Sequence, residues 1–126
     1  MTIEHIAIWT NQLEALKDFY SQYFGATAGK KYHNPNKRFT SYFLSFSSGA
    51  RLELMHKPDL AQANQQFSTG LAHFAISLGS TDAVDRLTET LKESGVSHLD
   101  GPRRTGDGYY ESTFLDPDGN VIELTA

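Results

Sequence analysis

The feature that most constrains this chain is a duplication. Residues 4–8, Glu-His-Ile-Ala-Ile, are matched by residues 72–76, Ala-His-Phe-Ala-Ile, and Gly49-Ala-Arg-Leu-Glu-Leu54 is matched by Gly119-Asn-Val-Ile-Glu-Leu124. His5 thereby pairs with His73 at an offset of 68 residues and Glu53 with Glu123 at an offset of 70, a drift that one connecting loop absorbs. Gly25 and Gly95 keep the offset of 70. A chain of 126 residues has room for one domain. The repeat is therefore read as two halves of a single domain 1–126, residues 1–57 and 71–126, joined by a polar linker over 58–70.

Each half spells the same order of elements. Ile3 to Trp9 alternates and is β-branched, aromatic or small, which predicts a strand with His5, Ala7 and Trp9 on one face and Ile6 and Ile8 on the other. Asn11 with Glu14 reads as a capping box, and Leu13, Leu16, Tyr20 and Tyr23 recur at helical spacing until Gly25 stops the helix. Arg38 to Phe46 and Ala50 to Met55 read as strands, with a further short strand near 26–31. In the second half Leu71 to Leu78 is a strand, and Ser80 or Thr81 caps a helix that carries Val84, Leu87 and Leu91 and ends at Gly95. Ser112 to Leu115 and Asn120 to Thr125 are strands around the turn Asp116-Pro117-Asp118-Gly119. Such alternation suits a sheet with helices on one face and a second face that encloses something other than core.

Composition narrows the function classes. Eleven Lys and Arg against fifteen Asp and Glu give a net charge of -4, and the basic residues are scattered apart from three adjacent pairs, which argues against a nucleic-acid partner. No apolar run approaches the ~20 residues that span a bilayer, and the opening residues show neither a basic leader nor a cleavage site, so a cytoplasmic protein without a membrane partner is expected. With no cysteine, disulfides and thiolate ligands are excluded, and a metal would sit on His and carboxylate.

The pleat directs the repeated polar residues. Glu53 shares a strand face with Arg51 and Met55, while Leu52 and Leu54 look toward the helix; Glu123 lies opposite Ile122 and Leu124, and His73 opposite Phe74 and Ile76. Two imidazoles and two carboxylates from His5, Glu53, His73 and Glu123, converging on one concave surface, would form a site for a divalent ion with two positions left open.

These residues carry a resemblance. The openings His5-Ile-Ala-Ile and His73-Phe-Ala-Ile, the helix ending Phe19-Tyr20-Ser-Gln-Tyr-Phe24-Gly25, and above all Phe114-Leu-Asp116-Pro117-Asp118-Gly119-Asn120-Val-Ile-Glu123-Leu resemble the vicinal oxygen chelate superfamily, whose members include glyoxalase I, methylmalonyl-CoA epimerase, extradiol dioxygenases and bleomycin-resistance proteins. The resemblance covers essentially the whole chain and is nearest to glyoxalase I. It implies an α+β fold of paired βαβββ modules in a curved mixed sheet, a cup-shaped half-barrel with the helices outside. It also implies one divalent metal ion (Ni, Co, Zn, Mn or Fe) on His5, Glu53, His73 and Glu123, a small-molecule substrate, and a homodimer.

The implied activity is that of a lyase or isomerase of the lactoylglutathione lyase type, converting a hemithioacetal-like substrate through a metal-stabilised enediolate. Glu123, or else Glu53, would be the base. Two positions depart from the bacterial glyoxalase I pattern: Trp9 stands where an arginine is typical and Lys57 where an asparagine is. Trp9, Arg38, Arg51, Lys57 and Tyr110 are the candidate substrate-binding residues. The turn-former run Gly101 to Tyr110 is a candidate lid, and Tyr32 to Arg38 a second mobile candidate. An epimerase, an extradiol dioxygenase, and a metal-free protein that sequesters a drug or metabolite are the alternatives.

Overall fold

Strand register repeats from one half of the chain to the other. In a computed structural model, which describes residues 2–61, 70–106 and 108–126, the chain falls into two units, Met1–Ala63 and Asn64–Ala126. The first contains β1 (His5–Trp9), α1 (Leu13–Phe24), β2 (Thr27–Ala28), β3 (Tyr32–Asn34), β4 (Phe39–Ser45) and β5 (Arg51–His56). Its sheet runs β1-β5-β4-β2, with β3 also on β4. The second contains β6 (Phe74–Ser77), α2 (Thr81–Glu93), β7 (His98–Arg104), β8 (Tyr110–Leu115) and β9 (Val121–Thr125), in the order β6-β9-β8-β7.

In both sheets the first strand is parallel to the last, and the remaining pairings are antiparallel. Ala7 stands beside Glu53 in one, and Ala75 beside Glu123 in the other. The fold is α+β, with two helices and two mixed sheets among the described residues. Each unit is a βαβββ module once β2 and β3 are taken as one interrupted strand, since both pair with β4 as β7 pairs with β8.

Each helix covers one face of its own sheet. α1 buries Leu13, Leu16, Phe19 and Tyr20, and the sheet residues on that side, Leu44, Leu52 and Leu54, are buried with them. Burying each such side chain contributes about 1.5–3 kcal/mol. α2 buries Val84, Thr88 and Leu91, and Phe114, Ile122 and Leu124 are fully buried in the sheet it touches. Polar residues of opposite parity are left on the far face of each sheet.

Local chemistry departs from expectation at three places. The Asn11–Glu14 capping box does not form: Thr10 Oγ1 accepts from the Gln12 N–H at 2.8 Å, while Glu14 reaches Lys31 and Tyr42. Ser80 does cap α2, accepting from the Ala83 N–H at 3.2 Å. Gly101 to Arg104, expected to belong to a lid, lie in β7. There Gly101 adopts φ +86°, and a Cβ would stand 2.5 Å from the Glu111 carbonyl oxygen, so the glycine serves a close strand approach. The rest of that candidate lid is a hairpin end held by Thr105 and Tyr109, with Asp107 outside the described residues. Of the expected linker, residues 62–69 lie outside the described residues. Among the described residues no helix is long and apolar enough to cross a membrane.

Candidate functional site

On the first sheet, His5 lies beside Arg51, and Glu53 lies between Ala7 on β1 and Phe43 on β4. Because His5, Ala7, Arg51, Glu53 and Phe43 share one parity, their side chains stand on the face away from α1. His5 Nε2 is 3.9 Å from Glu53 Oε2, and the Glu53 side chain is only 13% exposed. The Phe43 ring meets the His5 ring edge-on at 5.2 Å and carries the Arg51 guanidinium 4.1 Å from its centroid. Glu4 accepts from His5 Nδ1 and from Arg51 Nε, the latter at 2.7 Å. The hydrogen bond from His5 and the neighbouring Arg51 guanidinium hold the Glu4 carboxyl below its ordinary value.

The second sheet repeats the pair. Glu123 stands between Ala75 and Thr113, and His73 Nε2 is 3.3 Å from Glu123 Oε2. Along β8, Glu111 takes an ion pair from Arg103 at 3.3 Å. Arg103 also donates to Asp100 at 2.6 Å and, with the Gly101 N–H, holds that carboxyl below its ordinary value. Sequence reasoning gave no role to Glu4, Phe43 or Glu111, and placed Arg103 only within the candidate lid. The signal available for Glu4 was its contrast with Ala72 at the matching place of the repeat.

The pair spacing can be tested against a metal. Two ligands each bonded at about 2.1 Å to one ion stand about 3.0 Å apart at a right angle and about 3.4 Å apart in a tetrahedron. The His73–Glu123 separation falls inside that range and the His5–Glu53 separation slightly above it. Imidazole nitrogen with carboxylate oxygen also suits a borderline divalent ion. The residues fit. Among the described residues no three His, Asp or Glu side chains are grouped as an ion site; each unit brings one His and one Glu together.

The sequence profile described as "Glyoxalase/Bleomycin resistance protein/Dioxygenase superfamily" matches residues 2–124. The chain belongs to this superfamily. Among curated relatives, the lactoylglutathione lyase GLX1 of Arabidopsis thaliana is 30% identical over 95% of this chain, which spans 42% of the plant protein's length. The probable lactoylglutathione lyase of Vibrio cholerae is 29% identical over 97% of this chain and 88% of its own. Among solved structures, glyoxalase I of Zea mays superposes with a TM-score of 0.79 at 25% identity, covering 98% of this chain and 44% of the maize chain. The trypanothione-dependent glyoxalase I of Leishmania major superposes with a TM-score of 0.80 at 23% identity over 99% of this chain and 86% of its own, a likeness of fold alone.

The closing motif by which this glyoxalase-superfamily chain resembles its family has a structural use here. Asp116, nearly buried, accepts from the N–H groups of Asp118 and Asn120, both at 2.9 Å, and from Asn120 Nδ2 at 2.8 Å. Gly119 takes φ +82° to close the turn. The turn fixes the register of β9 on β8 and so the place of Glu123.

The candidate substrate residues are distributed unevenly. Trp9 is half exposed on the face of His5, and Lys57 Nζ lies 5.1 Å from its ring centroid. Arg51 is engaged by Glu4. Arg38, at φ +54°, borders a hollow of about 310 Å³ with His33, Thr40 and His56. Thr40 and His56 share the parity of Leu52 and Leu54, so that hollow opens on the α1 side, not on the face of His5 and Glu53. Tyr110 likewise turns to the helix side, its hydroxyl donating to Asp85 of α2 at 2.6 Å, and this acceptor raises the phenol's pKa. These two placements separate Arg38 and Tyr110 from the faces that carry the His–Glu pairs.

Proposed function

We propose that this chain is a metal-dependent lyase or isomerase of the glyoxalase I type, acting on a small substrate with two adjacent oxygens, of which a hemithioacetal is the leading instance. The single observation that supports it most is the His–Glu pair built twice in one register, at 3.9 and 3.3 Å. His5, Glu53, His73 and Glu123 are the proposed ligands of one divalent ion. When bound, that ion supplies Lewis-acid stabilisation of negative charge on substrate oxygen.

The chain's own groups supply the proton chemistry. A carboxylate next to the substrate takes the proton from the carbon beside the carbonyl and returns it to the neighbouring carbon. Glu123 is assigned this role, with Glu53 as its counterpart in the other module. Trp9 and Lys57 offer a flat apolar surface topped by a positive charge on the His5 face, suited to a substrate that is anionic or planar beyond its reacting atoms. A homodimer is the proposed assembly.

The test is to load the purified protein with Ni(II) or Co(II), verify binding by elemental analysis, and follow thioester formation from methylglyoxal with glutathione or another thiol. Metal uptake with thioester formation is the expected result. Metal uptake with no product from any thiol would replace the glyoxalase reading by an epimerase or, if oxygen is consumed with a catechol and Fe(II), a dioxygenase. Absence of uptake would overturn all of these in favour of a sequestering protein.

A further inference from the structure

The two modules share their His–Glu pairs and differ in what stands behind them. In the first, Glu4 precedes His5, Arg51 precedes Glu53 by two residues, and Phe43 is Glu53's cross-strand neighbour. The corresponding residues of the second are Ala72, Val121 and Thr113. Ala72 has no group that can engage a ring nitrogen, so the residue preceding His73 cannot do for it what Glu4 does for His5.

An ionised carboxylate only accepts hydrogen bonds, so the nitrogen of His5 that faces Glu4, Nδ1, is the one that carries hydrogen. In the neutral ring Nε2 is then left with its lone pair, and Nε2 is the nitrogen directed toward Glu53. A histidine that ligates through Nε2 needs this tautomer, and the group that holds the other nitrogen sets it. Glu4 is itself held from the other side by Arg51, whose guanidinium rests over Phe43. The chain Phe43, Arg51, Glu4, His5 therefore ends on one imidazole in one orientation.

We propose that Glu4, braced by Arg51, is a positioning residue that locks His5 in its Nδ1–H tautomer and presents Nε2 as a preformed metal ligand. This rests on the ion-binding reading above. Arg51 then serves the ligand and not the substrate.

The tautomer can be read without metal. Nitrogen-15 NMR of the histidine rings at about pH 8, where imidazole is neutral, is expected to show protonated Nδ1 and bare Nε2 for His5 in the metal-free wild type. Glu4→Ala shifts His5 toward a mixture and leaves His73 unchanged, whereas Glu4→Gln, whose amide oxygen still accepts, keeps the wild-type tautomer. Calorimetric titration with Ni(II) is expected to show about 10- to 100-fold weaker binding for Glu4→Ala, with Glu4→Gln nearer the wild type. An unchanged His5 tautomer in Glu4→Ala, or unchanged Ni(II) affinity, overturns the role of Glu4 alone. Failure of the wild type to bind Ni(II), Co(II) or Zn(II) overturns the ion-binding reading, and with it any role of Glu4 toward an ion.

Discussion

His73 Nε2 and Glu123 Oε2 stand 3.3 Å apart on the face of the second sheet that α2 does not cover. Glu123 is held there by Ala75 on one flank and Thr113 on the other, small neighbours that leave its carboxylate room to move. The proposed role of Glu123 as a base would use that room. Glu123→Gln keeps the size and loses the basicity, so kcat for the substrate identified by the thiol assay is expected to fall by at least ~10²-fold with folding intact. A near-normal rate would transfer the role to Glu53, flanked by the larger Phe43.

Asp116 illustrates a family motif whose function is architectural. Its carboxylate accepts two backbone N–H bonds and one from Asn120 while nearly buried. Asp116→Ala leaves those donors to find water in a tight turn, so a loss of about 2–3 kcal/mol is expected in urea unfolding. A loss under about 0.5 kcal/mol would show that the turn holds without it.

Gly101 makes a sharper test of packing. Both its positive φ and the 2.5 Å approach of a would-be Cβ to Glu111 oppose any side chain. Gly101→Ala is expected to cost about 2–4 kcal/mol, whereas Gly106→Ala, with open space and no positive φ, costs less than about 1 kcal/mol. Equal effects of the two substitutions would contradict the β7–β8 contact.

Much of this is legible in the sequence. Leu52 and Leu54 flanking Glu53, and Ile122 and Leu124 flanking Glu123, fix the inward and outward faces by period two alone, and the repeat doubles the signal. What escaped did so for physical reasons. Gly101 and Pro102 are turn formers by propensity, yet the glycine is used here for backbone approach inside an edge strand. Tyr110 closes the candidate lid and is a candidate substrate contact; β8 begins at Tyr110, two residues before the expected Ser112, and its parity sends the phenol to the helix. Glu4 precedes β1, and nothing in periodicity says that an exposed carboxylate there turns back on the next ring.

Acid should weaken the fold in part through Glu14. Its carboxyl accepts from Lys31 at 2.7 Å and also meets Lys17 and Tyr42, and the Lys31 hydrogen bond first of all holds its pKa below the ordinary value. A depressed carboxyl contributes stability above the unfolded pKa of about 4.3 and loses it as pH falls through the folded one. The urea midpoint is expected to fall between about pH 5 and pH 3, less steeply in Glu14→Gln and less steeply still in 1 M salt (roughly a 3 Å screening length). Parallel curves for wild type and Glu14→Gln would remove Glu14 from the account.

Tyr110 separates two readings of one residue. As a substrate contact, its hydroxyl would matter to KM; as found, it donates at 2.6 Å to Asp85 and lies beside the Arg104 guanidinium, 5.6 Å from the ring centroid, on the α2 side of β8. Tyr110→Phe removes the donor and keeps the ring. Stability is expected to fall slightly in urea unfolding, because the bond is solvent-exposed, and Asp85→Asn should lose a smaller share because it removes only the charge of the same acceptor. The double variant should cost less than the sum of the two, since Tyr110→Phe already removes the bond that Asp85→Asn weakens. KM and kcat should stay within about twofold of wild type, below the tenfold that 1.4 kcal/mol would produce. A rise in KM of tenfold or more with unchanged stability would return Tyr110 to the substrate's side.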